Sequence, residues 1–354
     1  NADFNGSGKD YVAWIFAHNN SDGDFGGQSG ANGDVIKCDS YTGNGSSTNS
    51  VNVGFEPQFI MLHKQEGGYE QAPIYVYDCI RGLVSSGTDY YIQAAHDTNE
   101  LGTNRLKVTA TGFTLESSNA DVNENGKEYL YTCIRRPDGY VGKPAEAGTD
   151  VFAMDTGSGS STIPNFDSGF PVDFTFMKKT ASSSDWFTYA RLTQKFELVL
   201  NTDSAQGGAS DYTFDSNVGW GKGGDSSDWQ SWMWKRHAGF DVVTYKGNGT
   251  GGKIITHSMN MVPEMIWIKL RDGTENWTVY HKGLNGGSSP EEWYLYLNST
   301  NAEGNHSFWD SYAPTSTQFK VSANDQVNKN NSTYIALLFA SVDGISKVGY
   351  YTGD

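Results

Sequence analysis

The sequence predicts an all-β chain of tandem, jelly-roll-like β-sandwich repeats of about a hundred residues each, and three observations carry that expectation. Aromatic residues make up 14% of the chain and Gly is frequent, while Leu-rich stretches with Glu/Lys pairs are missing, a balance that favours strands and turns over helices. The apolar residues fall in short runs separated by Gly, Asn, Ser, Thr and Asp, as strands between turns do. Several of these runs also echo one another along the chain.

The clearest echo is a polar turn followed by an aromatic-rich strand. It reads Asn5-Gly-Ser-Gly-Lys-Asp-Tyr11, then Asn123-Glu-Asn-Gly-Lys-Glu-Tyr129, a weaker Asp225-Ser-Ser-Asp-Trp229, and Asn328-Lys-Asn-Asn-Ser-Thr-Tyr334. The lead aromatics Tyr11, Tyr129, Trp229 and Tyr334 therefore mark four copies of one strand. A second echo, a short strand running into a Gly-rich turn, follows each: Ser40-Tyr-Thr-Gly-Asn-Gly45, a degenerate Met154-Asp-Thr-Gly-Ser-Gly159, Thr244-Tyr-Lys-Gly-Asn-Gly249 and Gly349-Tyr-Tyr-Thr-Gly353. A third begins with proline and ends in lysine: Pro57 to Lys64, Pro171 to Lys178 and Pro263 to Lys269. Proline opens each, where a missing N–H costs least. Shorter alternating runs fill the rest, among them Ile74–Tyr77, Trp186–Tyr189 and Trp277–Tyr280, then Thr111–Leu115 and Thr317–Val321.

These echoes divide the chain into sandwich units at residues 34–139, 140–239 (the divergent one) and 240–344. Residues 1–20 then read as the last strand of a preceding unit and 345–354 as the first strand of a following one, so the expectation is a piece of a longer array.

The formal charge of −16 sets the field of the whole molecule against a phosphate-binding surface, so nucleic acid is not an expected partner. The longest apolar run, Tyr334–Ala340, is far too short to span a bilayer, and no membrane insertion is expected. An acidic, Asn/Ser/Thr/Gly-rich surface suits an extracellular or virion setting. Cys38, Cys79 and Cys133 show neither CxxC nor Cys/His spacing, which points to buried free thiols and away from a zinc site.

Apparent chemical motifs fall on the repeat's turns. Gly219–Gly224 and Gly247–Gly252 both satisfy G-x-G-x-x-G, but that fingerprint works only between a strand and a helix. Asp121–Glu128 begins like a calcium loop, yet position 12 is Thr132, so the bidentate Glu is lacking and a hairpin turn is expected. Ser21-Asp-Gly-Asp24 is ordinary loop chemistry. No H-E-x-x-H or G-x-S-x-G occurs and no acids line up along one strand face, so no enzyme, metal or cofactor is expected. Two features belong to one copy alone. Trp220 lies in a Gly-rich loop and is the expected exposed sugar-stacking residue, with Trp229, Trp232, Trp234, Trp293 and Trp309 as further aromatics more readily explained as core. Asp78 and Arg81, three apart, are the second candidate, with an internal salt bridge or turn as the simpler reading.

The run of Gly54-Phe-Glu-Pro57 into Met61-Leu-His-Lys64, Tyr77-Asp-Cys-Ile-Arg-Gly82, Thr111-Gly-Phe-Thr-Leu115 and Asn125-Gly-Lys-Glu-Tyr129 resembles an uncharacterised repeat domain of marine and cyanobacterial phage virion proteins, often tail-fibre-like. The match is best over residues 41–136, fair over 240–354 and poor over 142–240. The resemblance implies a virion structural or fibre protein that assembles with other virion proteins as a symmetric homo-oligomer, a trimer foremost, and contacts host-surface glycans. A secreted carbohydrate-binding adhesin and a glycan depolymerase are the alternatives.

Overall fold

The computed structural model describes residues 6–13, 15–16, 33–65, 73–94, 96–208 and 210–353. It is all-β and tandem, each unit pairing one large antiparallel sheet with one small one. In the first unit the large sheet runs, in spatial order, Ile36–Thr42, Glu128–Arg135, Pro57–Lys64, Tyr75–Asp78, Asp89–Gln93 and Leu101–Thr103; Asn49–Asn52, Gly112–Leu115 and Leu106–Thr109 form the small sheet. The last unit repeats the order with Phe240–Lys246, Thr333–Phe339, Met265–Leu270, Thr278–His281, Trp293–Tyr296 and Gly304–Asn305, above Lys253–Thr256 and Gln318–Val321. The middle unit keeps five large-sheet strands, Phe152–Thr156, Trp229–Trp234, Phe174–Lys179, Phe187–Ala190 and Leu198–Val199, above Phe166–Asp167 and Gly219–Trp220.

Alternation along each strand decides what is buried. Ile60, Leu62, Tyr75, Tyr77 and Tyr131 face Val51, Leu106, Phe113 and Leu115 across the first sandwich, and all are buried. Ile266, Ile268 and Leu338 meet Ile255, Phe319 and Val321 in the last. At one edge of each of these cores two tyrosines sit opposite in the ladder and stack: Tyr41 on Tyr129 at 5.1 Å and Tyr245 on Tyr334 at 5.0 Å. The hydroxyls of Tyr41 and Tyr245 donate to carbonyls of the one-turn helix just before the Tyr129 or Tyr334 strand, Tyr41 to Val122 and Tyr245 to Val327, both at 2.7 Å. The turn expected in Asp121–Glu128 lies at Asn125–Gly126, but the first half of that segment belongs to the helix, Ala120–Asn123, or Asp325–Asn328 in the last unit. The helix's last residue explains why: the buried Asn123 side chain accepts from Asn44 N and donates to Ser46 O, and Asn328 does the same to Asn248 N and Thr250 O. Gly43 and Gly247 run so close beneath that a Cβ would lie 2.2 Å and 2.0 Å from the carbonyl oxygens of Glu124 and Lys329.

The register corrects one echo. Gly43, Gly157 and Gly247 donate to the carbonyls of Lys127, Trp229 and Ser332, so Trp229 stands where Lys127 and Ser332 do, and Ser231 holds the place of Tyr129 and Tyr334. Asp155 pairs with Ser231, so the middle unit has lost both tyrosines.

The opposite face of each large sheet carries one row of side chains across the strands. It reads Val242, Leu337, Trp267, Val279, Leu295 in the last unit and Met154, Trp232, Phe176, Thr188, Leu198 in the middle one. These two faces pack on each other: the Phe174 and Phe240 rings are 5.9 Å apart and Trp277 Nε1 donates to Val199 O at 2.9 Å. In the first unit the row is Cys38, Thr132, Met61, Val76, Ile92.

Residues 1–20 and 345–354, expected as strands of neighbouring units, form no strand where they are described; the last segment makes a single antiparallel bridge, Ser346 to Val342. Ser21–Asp24 lies outside the described residues. Cys133 is buried, Cys38 and Cys79 half-buried, and all three are free thiols.

Candidate functional site

Trp220 does not sit in an exposed loop. It is fully buried, because the Gly-rich segment around it forms a strand whose indole fills the space vacated by the missing tyrosine pair. Phe166, Tyr212 and Phe214 stack on it with ring centroids 5.2–5.6 Å away, and its Nε1–H donates to Ser231 Oγ at 3.0 Å. The indole replaces the stacked tyrosines as the core of the middle sandwich and is unavailable to a ligand. Trp309 is buried as well.

Asp78 and Arg81 close a turn. Asp78 Oδ1 accepts from the backbone N–H groups of Ile80 and Arg81 at 3.0 and 2.9 Å, and Oδ2 lies 2.8 Å from Arg81 Nε. The turn aims the next residues at the middle unit: Cys79 O accepts from Arg191 Nη1, and Ser85 N donates to Leu192 O. The pair shapes a contact between units.

Aromatics do converge elsewhere. Trp186 stands just before the strand Phe187–Ala190, its N–H donating at 2.9 Å to Oδ1 of Asn201 beyond Leu198–Val199; beside it stand Phe176 and Trp232 from adjacent middle-unit strands, with Trp186–Trp232 centroids at 5.4 Å and Phe176–Trp232 at 5.3 Å. Trp267 of the last unit closes the opposite wall. Together with Leu200 and Leu297 they line an open cleft of about 820 Å³, rimmed by Asn201, Asn298, Ser299 and Thr300. No charged side chain lines it, and Lys178, at its edge, lies over the Trp186 ring at 5.2 Å. Of the indoles here only Trp232 was among the sequence candidates; Trp186 and Trp267 read as ordinary strand residues. By the ladder register, counted from the Gly43, Gly157 and Gly247 bonds, Trp267 takes the place of Met61, whereas Trp232 takes that of Leu130 and Phe176 that of His63.

Among the described residues no group of three or more His, Cys, Asp or Glu could hold a metal ion. A dense ionic cluster joins the three units. Glu56 of the first unit bridges Arg136, also of the first, at 3.2 Å and Arg236 of the middle unit at 2.8 Å; Arg136 reaches Asp241 of the last unit at 2.8 Å. All four are buried. Burial pushes the Asp241 carboxyl up, but the Arg136 and Arg236 guanidiniums outweigh it and hold the group below the usual carboxylate range. Burial alone would lower Arg236, yet Glu56, Asp173 and Asp241 keep it above its ordinary value. Every charge is matched, which is the signature of a structural junction rather than a reactive centre.

Next to this junction burial pushes His237 down to about 4, with Asp241 opposing and Lys235 reinforcing the shift. Its Nδ1 accepts from Gly239 N at 3.0 Å. A histidine whose folded value lies below its ordinary one stabilises the fold fully above pH 6.5, and that contribution is lost as pH falls toward about 4. Chemical denaturation of His237→Gln from pH 7 to pH 4 should therefore show a shallower loss of stability than the native chain; an unchanged slope would contradict the assignment.

A family model described as Domain of unknown function (DUF7483) matches residues 5–136 and again 226–354. Each matched stretch is about 130 residues, longer than the spacing of the sequence echoes, because it starts one strand early: residue 226 precedes Trp229–Trp234, the last large-sheet strand of the middle unit. No curated protein and no solved structure matches the chain.

Proposed function

We propose, from the premise that this chain belongs to the DUF7483 family, that it is a structural component of a virion surface, of tail-fibre kind, whose cleft between the middle and last units holds a neutral glycan of the host surface. The observation that carries the glycan reading is the open wall of Phe176, Trp186, Trp232 and Trp267 with an amide and hydroxyl rim. Pyranose rings present flat C–H faces that stack on indole and hydroxyls that meet amides. The uncharged lining supports a neutral sugar, and a net charge of −16 disfavours sialylated or sulfated ones. The tandem sandwich architecture supports the structural role, since stacked units make extended surfaces without a reaction centre.

Binding of the full chain to immobilised neutral and anionic glycans, compared with Trp186→Ala and Trp267→Ala, tests the cleft. Each substitution is expected to weaken a neutral ligand by about tenfold or more. Equal binding by the variants, or preference for anionic glycans, would refute the reading. Mass spectrometry of purified particles tests the virion setting: a secreted protein absent from particles would favour the adhesin alternative. Oligosaccharide release from a bound glycan would favour the depolymerase.

A further inference from the structure

The four-residue junction is balanced by itself, Glu56 and Asp241 against Arg136 and Arg236, but the space beside it is not. Between the first and middle units lies a cavity of about 230 Å³, and the charged side chains that line it beyond the junction are Arg191, Lys235 and Asp173. Two cations there face one carboxylate. Asp173 is committed elsewhere: its Oδ2 accepts from the Arg236 backbone N–H at 2.8 Å, and its Oδ1 stands 3.5 Å from Nε of both Arg191 and Arg236, too far for a good hydrogen bond. Asp78, next to the lining residue Cys79, is taken up by Arg81 at 2.8 Å.

Donors are left over as well as charge. Arg191 is 3% exposed; its Nε donates to Val172 O at 3.0 Å and its Nη1 to Phe214 O at 2.9 Å, yet its Nη2 has no hydrogen-bond acceptor among the described residues, and neither has Arg236 Nε. The Lys235 ammonium makes no hydrogen bond or ion pair among the described residues either. A buried guanidinium N–H without an acceptor costs stability. A chain with a formal charge of −16 is rich in carboxylates, and it places none against these donors.

We propose that this cavity binds one small carboxylate anion. The surplus is a single positive charge, which a monoanion cancels and a sulfate or phosphate dianion overshoots. Arg191 and Arg236 flank one Asp173 oxygen, so one ligand reaches both guanidiniums, and a planar carboxylate offers them two oxygens in the geometry a guanidinium fork prefers. Pro57, Leu83, Pro171 and Leu192 form the rest of the wall, an apolar sleeve for a short aliphatic tail. The site lies apart from the aromatic cleft and shares no residue with it.

Calorimetric titration of the full 354-residue chain with sodium butyrate, at an ionic strength held constant with chloride, tests this. The expected result is a one-site isotherm that neither chloride nor sulfate reproduces, with Tm rising as the site fills. Lys235→Gln should raise the Kd by about tenfold, and Arg191→Lys, which keeps the charge but loses the planar fork, by at least as much. Should Arg191→Lys fail to fold, Lys235→Gln still decides, because no hydrogen bond or ion pair of its ammonium is lost. Absence of both heat and Tm shift, or a butyrate affinity that Lys235→Gln leaves unchanged, would overturn the proposal. So would an equal response to chloride or sulfate, which would mark an adventitious ion only.

Discussion

Glu56→Gln is expected to destabilise the chain by about 3–5 kcal/mol, the range for breaking a fully buried ion pair by removing one partner. The carboxylate is the shared counter-ion of two guanidiniums: Arg136 Nε at 3.2 Å and Arg236 Nη1 and Nη2 at 2.9 and 2.8 Å. Glutamine keeps the shape and one carbonyl acceptor but leaves two buried cations with only Asp173 and Asp241 between them. The Coulomb attraction inside a buried site is weakly screened, so the loss should persist at high salt. The exposed pair Lys143–Glu146, 3.1 Å apart with both side chains more than 70% exposed, supplies the contrast: Lys143→Ala should leave stability unchanged. Because Glu56, Arg236 and Asp241 come from three different units, the denaturation curve carries a second readout. Loss of the junction should separate the transition into steps, whereas a single steeper or unshifted transition would show that the units do not depend on it.

Sequence and structure agree where the signal is local. Strand alternation, proline at strand starts and the Gly-Asn-Gly turns are set by neighbours a few residues apart, so the echoes at Tyr41, Tyr129, Tyr245 and Tyr334 reveal the tandem all-β units, whereas the pairing of Tyr41 with Tyr129 and of Tyr245 with Tyr334 comes from the ladder alone. The junction is invisible by the same reasoning, since Glu56 and Arg236 lie 180 residues apart and no periodicity links them. The aromatic cleft fails to show for a different reason. Trp186 and Trp267 alternate correctly for strands, and which face of a sheet meets another unit is a property of the assembly of units, not of one strand. Trp229 was misplaced by two positions because the middle unit keeps the spacing of the turn but moves the aromatic; only the glycine-to-carbonyl bonds of the ladder reveal that Ser231 is the true equivalent.

Trp220 is where that misreading has the largest consequence, and Trp220→Ala is expected to cost about 3–5 kcal/mol, as for a fully buried aromatic replaced by a methyl group. Ser231 leaves a void where Tyr129 and Tyr334 fill the other units, and Trp220 reaches across from the small sheet to fill it, clamped by Phe166, Tyr189, Tyr212 and Phe214. Truncation removes the indole and strands the Ser231 hydroxyl, which then keeps only Thr175 Oγ1 at 2.9 Å. Trp220→Phe separates the two effects: the ring contacts largely remain, and the cost should drop to the roughly 1–2 kcal/mol of the lost hydrogen bond and residual space. Assayed well below its unfolding transition, Trp220→Ala should bind glycan as the native chain does, while Trp186→Ala should lose binding and keep native stability. That crossed pattern assigns one indole to the fold and the other to the cleft. If Trp220→Ala abolished binding at full stability, the glycine-rich loop rather than the inter-unit cleft would be the ligand site.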